Sequence, residues 1–191
     1  MYRLDGLDAA QCDMSTREKI IDAAMAVVRE QGVARLTLDG AAKEAGVSKG
    51  GVLYHFKSKD ELIGAMVARL ISQCEELQHR HHQSLPDGPN RWAKAAILAA
   101  FDPCGPSRDP VGGALLAAIT VNPELVRPLE VKVKEWVARM RSDSPTPEVA
   151  LLMALAMDGL WLQDMVGVRP FDNDALERLK TQALTLLDGK A

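Results

Sequence analysis

Residues 37–59, TLDGAAKEAGVSKGGVLYHFKSK, constrain the fold more tightly than any other part of the chain. Thr37 can cap a short helix that runs to Ala45, and Gly46 can end it in the left-handed conformation without a Cβ penalty. Ser48 can cap a second short helix over 49–55, and Ser58 with Glu61 forms a capping box that opens a third. Ala41, Ala42 and Ala45 are small enough for the first two helices to cross closely. Val47 packs under the turn, while Val52, Leu53 and Phe56 point back to a core. Lys49, Gly50, Gly51, Tyr54 and His55 then face outward. This order presents one helix, N-terminal end first, away from a small bundle.

Helix signals recur on either side with no convincing strand between them. Ser15 with Glu18 opens a helix that buries Ile20, Ala24, Val27 and Val28 and stops at Gly32. The helix opened at Ser58 is expected to reach about His82. The stretch SLPDGPN, 84–90, breaks the pattern, and Trp92–Phe101 resumes it. DPCGPSRDP, 102–110, reads as loop. Asp109–Pro110, Asn122–Pro123 and Thr146–Pro147 each set a capping residue before proline at the first helical position. They predict helices near 111–121, 123–141 and 147–166, and Asp172 opens a last one ending by about Leu187. The sequence is 47% hydrophobic but only 4% aromatic, which favours helix-on-helix packing over sheets. The expected class is therefore all-α, with about nine helices. Residues 1–14 read as a disordered arm, 15–58 as a helix-turn-helix domain and 59–191 as a helical body.

The net charge of −3 hides an asymmetry. Residues 16–59 hold eight Lys or Arg against five Asp or Glu, net +3, whereas 60–191 hold fourteen against eighteen, net −4. A basic end on an acidic body suits a polyanion bound at one end only. Amides at the starts of the two short helices, near Thr37 and Ser48, suit phosphate oxygens. Lys49 can reach a phosphate or a guanine edge, Tyr54 and His55 can donate to phosphates, and Gly50 and Gly51 let the backbone approach bases. Lys59 is placed to clamp the flanking backbone.

Residues 16–63 closely resemble the N-terminal domain of TetR-family transcriptional regulators. The likeness is carried by the opening helix ending at Gly32, the run TLDGAAKEAGVSKG, and the continuation Tyr54-His55-Phe56-x-Ser58-Lys59-Asp60-Glu61-Leu62. The sequence departs from the family at Leu53, where members often carry tyrosine; here Tyr54 follows one residue later, beside His55, and either can take the usual tyrosine–phosphate contact. The resemblance implies a sequence-specific DNA-binding regulator, a ligand-released homodimeric repressor whose last two helices form the dimer. It also implies a pseudo-palindromic double-stranded operator and a small apolar or amphipathic effector. Two-fold symmetry would set the reading helices about 34–36 Å apart. A constitutive DNA-binding architectural protein, or a helical enzyme or carrier, is the alternative.

In the body, Trp92, Phe101, Trp136, Met153, Met157 and Trp161 are candidates to line a ligand pocket, with Asp158 as its polar group; each is equally at home as a core residue. Asp158, in a helix apolar nearly all round, needs a ligand cation, a dimer contact or a solvent rim. The same helix, 149–166, approaches membrane-spanning length, but Asp158, Gln163 and Asp164 argue for a buried soluble helix. His79 and His82 share a face without complementary ligands, so no metal is expected. Cys12, Cys74 and Cys104 have no metal spacing and read as free thiols of a cytoplasmic protein. No nucleophile elbow, phosphate loop or carboxylate pair points to an enzyme, and no cofactor is implied.

Overall fold

The computed structural model describes residues 15–106 and 109–189; the arm expected over 1–14 lies outside them. Among the described residues there are nine α-helices and no strand. They are α1 (Thr16–Gln31), α2 (Leu38–Ala45), α3 (Lys49–His55), α4 (Lys59–Ser84), α5 (Arg91–Ala100), α6 (Pro110–Val121), α7 (Arg127–Ser142), α8 (Pro147–Met165) and α9 (Asn173–Leu187). The chain divides into two compact units between Met66 and Val67, within α4.

The N-terminal unit is built by its caps. Ser15, Thr37, Ser48 and Ser58 each accept a hydrogen bond from the amide three residues on, at 2.9–3.3 Å. Gly46, at φ 66°, closes α2, and Val47 N–H returns to Ala42 O at 3.0 Å. These helices enclose a core in which Ile20, Ala24, Leu36, Ala41, Val52, Leu62 and Met66 are completely buried. The face of α1 is wider than the expected stripe, since Ile21, Ala23 and Met25 are buried as well. A 3-10 turn over Val33–Arg35 follows α1 and delivers Leu36 to this core.

In the C-terminal unit, Ala93, Ile97 and Phe101 of the α5 region pack with Met140, Ala150, Ala183 and Leu187. Two local readings change here. The helix expected from 123 begins as a 3-10 turn, Pro123–Val126, and becomes α-helical only at Arg127. Pro128 has no N–H to return to Glu124 O, and Arg127 N–H bonds that carbonyl instead. Thr146 makes no side-chain cap; its own N–H donates to Ser144 Oγ at 3.2 Å. The linker 84–90 also does more than break a pattern. Asn90 is 1% exposed, adopts φ 59°, and donates through Nδ2 to Leu187 O at 2.7 Å. Asp143 caps α5 across the chain, accepting from Trp92 N–H at 2.9 Å. The helix expected to be buried is not: within this chain, Ala150 alone in α8 is buried, while Leu152, Leu155 and Leu162 are at least half exposed.

Candidate nucleic-acid interface and ligand cavity

The outward surface of the N-terminal unit follows from which side chains its core consumes. Val52 and Phe56 face inward, Leu53 is half-buried, and Tyr54 is left 77% exposed. His55 is half-buried and meets the Tyr54 ring edge-on, with centroids 5.0 Å apart. Tyr54 therefore projects further than His55. The Thr37 and Ser48 hydroxyls are already used as caps, so these residues offer helix-start amides rather than free hydroxyls.

Lys49 is exposed, but its ammonium is paired with Asp39 of α2 at 3.1 Å. Both side chains are about two-thirds exposed, at 65% and 64%, so the pair is weak and exchangeable. Lys59 departs from its expected place as a clamp. Its ammonium is drawn inward to Val33 O at 2.8 Å, where it braces the 3-10 turn against the start of α4. Sequence reasoning passed over Lys57, which is exposed and donates to Leu53 O at 2.7 Å at the C-terminal end of α3. It also passed over Asp39, although an acid in the first turn of α2 is a visible signal.

A cavity of about 460 Å³ opens in the C-terminal unit. Four of the seven expected residues line it: Trp136, Met157, Asp158 and Trp161. The other three belong elsewhere. Phe101 is buried in the helical core, and Met153 packs against that core. Trp92 is held between His82, stacked at 3.8 Å, His79, edge-on at 5.0 Å, and Arg139, whose guanidinium lies 5.2 Å from the ring centroid. The two histidines considered as a metal pair are thus packed on this tryptophan. Burial first, then the Arg91 charge, lowers the His82 pKa and favours its neutral, stacked form.

The wall that the expectation missed comes from α4 and α6. Val67, Leu70, Ile71, Cys74 and Leu77 recur at helical spacing along α4, and Leu115 and Ile119 face them in the lining. That periodicity was visible, but helical spacing alone gives no reason to assign an apolar stripe to a cavity. Burial pushes the Cys74 thiol up to about 11, which keeps this part of the wall uncharged. Burial also raises the Asp158 carboxyl, although the residue stands at the rim with much of its surface open to water.

Residues 20–66 match the bacterial regulatory proteins of the tetR family, and residues 90–188 match the tetracyclin repressor-like C-terminal domain. The chain belongs to the TetR family and is a DNA-binding transcriptional regulator. It is 28% identical over 181 residues to the HTH-type transcriptional regulator BetI of Burkholderia thailandensis, spanning 90% of this chain and 92% of BetI. The multidrug binding protein EbrR complexed with imidazole is 26% identical, with TM-score 0.66 and 90% coverage of both chains. In complex with malachite green EbrR gives the same identity and TM-score 0.61, over 90% of this chain and 96% of its own. A transcriptional regulator from Rhodococcus sp. Rha1, 24% identical, shares the fold at TM-score 0.70 over 93% of this chain and 99% of its own.

Proposed function

We propose that this regulator is a homodimeric repressor, released from a pseudo-palindromic operator by a small amphipathic molecule bound in the C-terminal cavity. The observation that carries the reading is the continuity of α4. It begins at Lys59, beside the DNA-reading helices, and its residues 67–78 line the cavity. A ligand that prefers one position of α4 shifts the population of DNA-competent states by its difference in affinity for them. The cavity favours this reading over constitutive DNA binding, which needs only a sealed core. EbrR, a multidrug binding protein solved in complex with malachite green, shares this fold and supports a small-molecule role for it.

On DNA, Lys49 leaves Asp39 for a phosphate or guanine edge, Tyr54 takes the main phosphate contact with His55 beside it, and Gly50 and Gly51 face the bases. The second subunit covers α8. Leu152, Leu155, Leu162 and Val166 form an exposed apolar stripe at helical spacing, and Leu179 of α9 is 45% exposed. Water-facing leucines in such number mark an interface.

The test is fluorescence anisotropy with the protein's own upstream DNA. Binding should be sequence-preferring and salt-sensitive, and the double change Lys49→Ala, Tyr54→Ala should weaken it by about tenfold or more with helicity and dimer mass unchanged. Leu155→Glu with Leu162→Glu should give a monomer by sedimentation and abolish operator binding. Undiminished binding by that monomer would remove the dimer from the proposal.

A further inference from the structure

The N-terminal unit contains a cation in a place that helix electrostatics disfavour. Lys59 is the first residue of α4, where the macrodipole is positive and the neighbouring acids Asp60 and Glu61 follow the usual rule. Its contact explains the exception. The Lys59 ammonium donates to Val33 O at 2.8 Å, 26 positions back along the chain, and the bond is partly shielded from water. That carbonyl has a second donor, because Leu36 N–H closes the 3-10 turn on it at 3.2 Å. Both of its lone pairs are therefore used. Lys49 and Lys57, by contrast, have exposed side chains.

The turn held in this way sets the start of α2. Leu36 follows the turn and is completely buried, which pins one side of the segment to the core. Thr37 comes next; its hydroxyl accepts Gly40 N–H at 2.9 Å and its carbonyl accepts Ala41 N–H at 3.0 Å. The first-turn amides of α2, which suit a phosphate oxygen, lie only a few residues beyond Val33.

We propose that Lys59 is a positioning residue for operator recognition, a role that rests on the proposed phosphate contact at the start of α2. Its ammonium fixes the 33–35 turn, and through it the start of α2, and does not itself touch a phosphate. A phosphate contact by Lys59 would strip the turn of one of two donors just as the duplex docks. Held on Val33 O, the same charge needs no rearrangement, and the α2 amides meet the DNA backbone already in place. The consequence differs from that of a surface lysine. Loss of a phosphate contact weakens binding to all DNA alike and lowers its salt dependence. Loss of a strut misplaces the amides instead. That weakens binding most at the operator, where base contacts fix the register.

The experiment compares the full-length protein with Lys59→Met, which keeps the aliphatic stem, and Lys59→Arg, which keeps a charged donor. Anisotropy is followed on the protein's own upstream DNA and on a scrambled duplex of equal length, across a range of salt and well below each thermal midpoint. Hydrogen exchange of the DNA-free proteins reports the Leu36 and Gly40 amides. Lys59→Met should bind the operator about tenfold more weakly, lose less on the scrambled duplex, keep the salt slope and exchange faster at both amides. Lys59→Arg should recover most of the operator affinity and the slow exchange. A slope shallower by about one ion, with similar losses on both duplexes, makes Lys59 a phosphate contact and overturns the inference while leaving the α2 reading in place. Equal losses at an unchanged slope reduce Lys59 to a residue that only stabilises the fold, and overturn it too. Faster exchange with unchanged operator affinity overturns both the inference and the phosphate contact at α2. Unchanged exchange overturns the strut itself.

Discussion

Two pairs of adjacent helical glycines behave in opposite ways. In α6, a Cβ on Gly113 would lie 2.1 Å from Met165 O, and one on Gly112 would touch the Met165 side chain at 3.7 Å. In α3, a Cβ on Gly50 would find nothing nearer than Ser48 Oγ at 3.9 Å, and one on Gly51 would meet the same atom at 3.4 Å. Each glycine inside a helix costs about 1 kcal/mol relative to alanine. In α6 that cost is offset by the close approach of the end of α8. In α3 the fold itself gives no compensation. The C-terminal unit thus explains its own adjacent glycines, whereas nothing within the chain requires those of α3, which fits the proposal that this helix approaches bases.

Gly113→Ala tests this contrast with the largest expected effect. The obstruction is a backbone carbonyl rather than the far end of a flexible side chain, so α6 and α8 must separate. A loss of about 2–3 kcal/mol is expected in urea unfolding, with weakened ligand binding because both helices line the cavity. A neutral result would mean that the two glycine pairs do not differ.

Glu75 gives the C-terminal unit a less exposed ion network than the solvated Lys49–Asp39 pair of the N-terminal unit. Its carboxylate is 21% exposed and bridges Lys132 and Arg139 of α7, each at 2.8 Å. The hydrogen bond from Lys132, with that from Arg139, outweighs burial and lowers the Glu75 pKa. Because the folded value is the lower one, this contribution is complete above the ordinary glutamate value of about 4.3. It is lost as pH falls through the lowered folded value. Glu75→Gln should cost about 1–2 kcal/mol at neutral pH and reduce the acid sensitivity of unfolding over that window. Equal pH profiles for the two proteins would count against the network.

The N-terminal unit was legible because its determinants are local. Ser15, Thr37, Ser48 and Ser58 cap the helix that each immediately precedes, and Gly46 acts on its own backbone. The places where reading stopped are tertiary. Asn90 bonds Leu187, 97 positions away, and nothing in SLPDGPN announces that partner. Trp92 and Trp136 are the same residue type on predicted helices, yet His79, His82 and Arg139 enclose the first while the second reaches the cavity. Helical spacing says which residues share a face but not what that face meets. Lys59 shows the same limit, since its attraction to Val33 O depends on a short 3-10 turn that no strong pattern marks.

Gly50→Ala should reverse the Gly113 result. With no obstructing atom, alanine should stabilise the folded protein by about 0.5–1 kcal/mol. Operator affinity should fall at the same time, because the added methyl group stands on the exposed side of α3. Stability and DNA binding would then move in opposite directions, which no simple folding defect produces. A parallel rise in both would show that Gly50 has no role at the bases.

Asp39→Asn is expected to change stability least, by under about 0.5 kcal/mol, because the pair it breaks is solvated on both sides. Its effect should appear on DNA instead. In the free protein Asp39 holds the Lys49 ammonium, and any phosphate must take its place while tolerating a nearby negative charge. Asparagine removes the competitor and the repulsion together. Affinity for non-operator DNA should rise, and the slope of log affinity against log salt should steepen by about one ion. Operator affinity should gain less, so the ratio of specific to non-specific binding should fall. That pattern would make Asp39 a discriminator set on the reading surface by α2. An unchanged salt slope would mean that the Lys49–Asp39 pair persists on DNA, and Tyr54 and the helix-start amides would then carry the phosphate contacts without it.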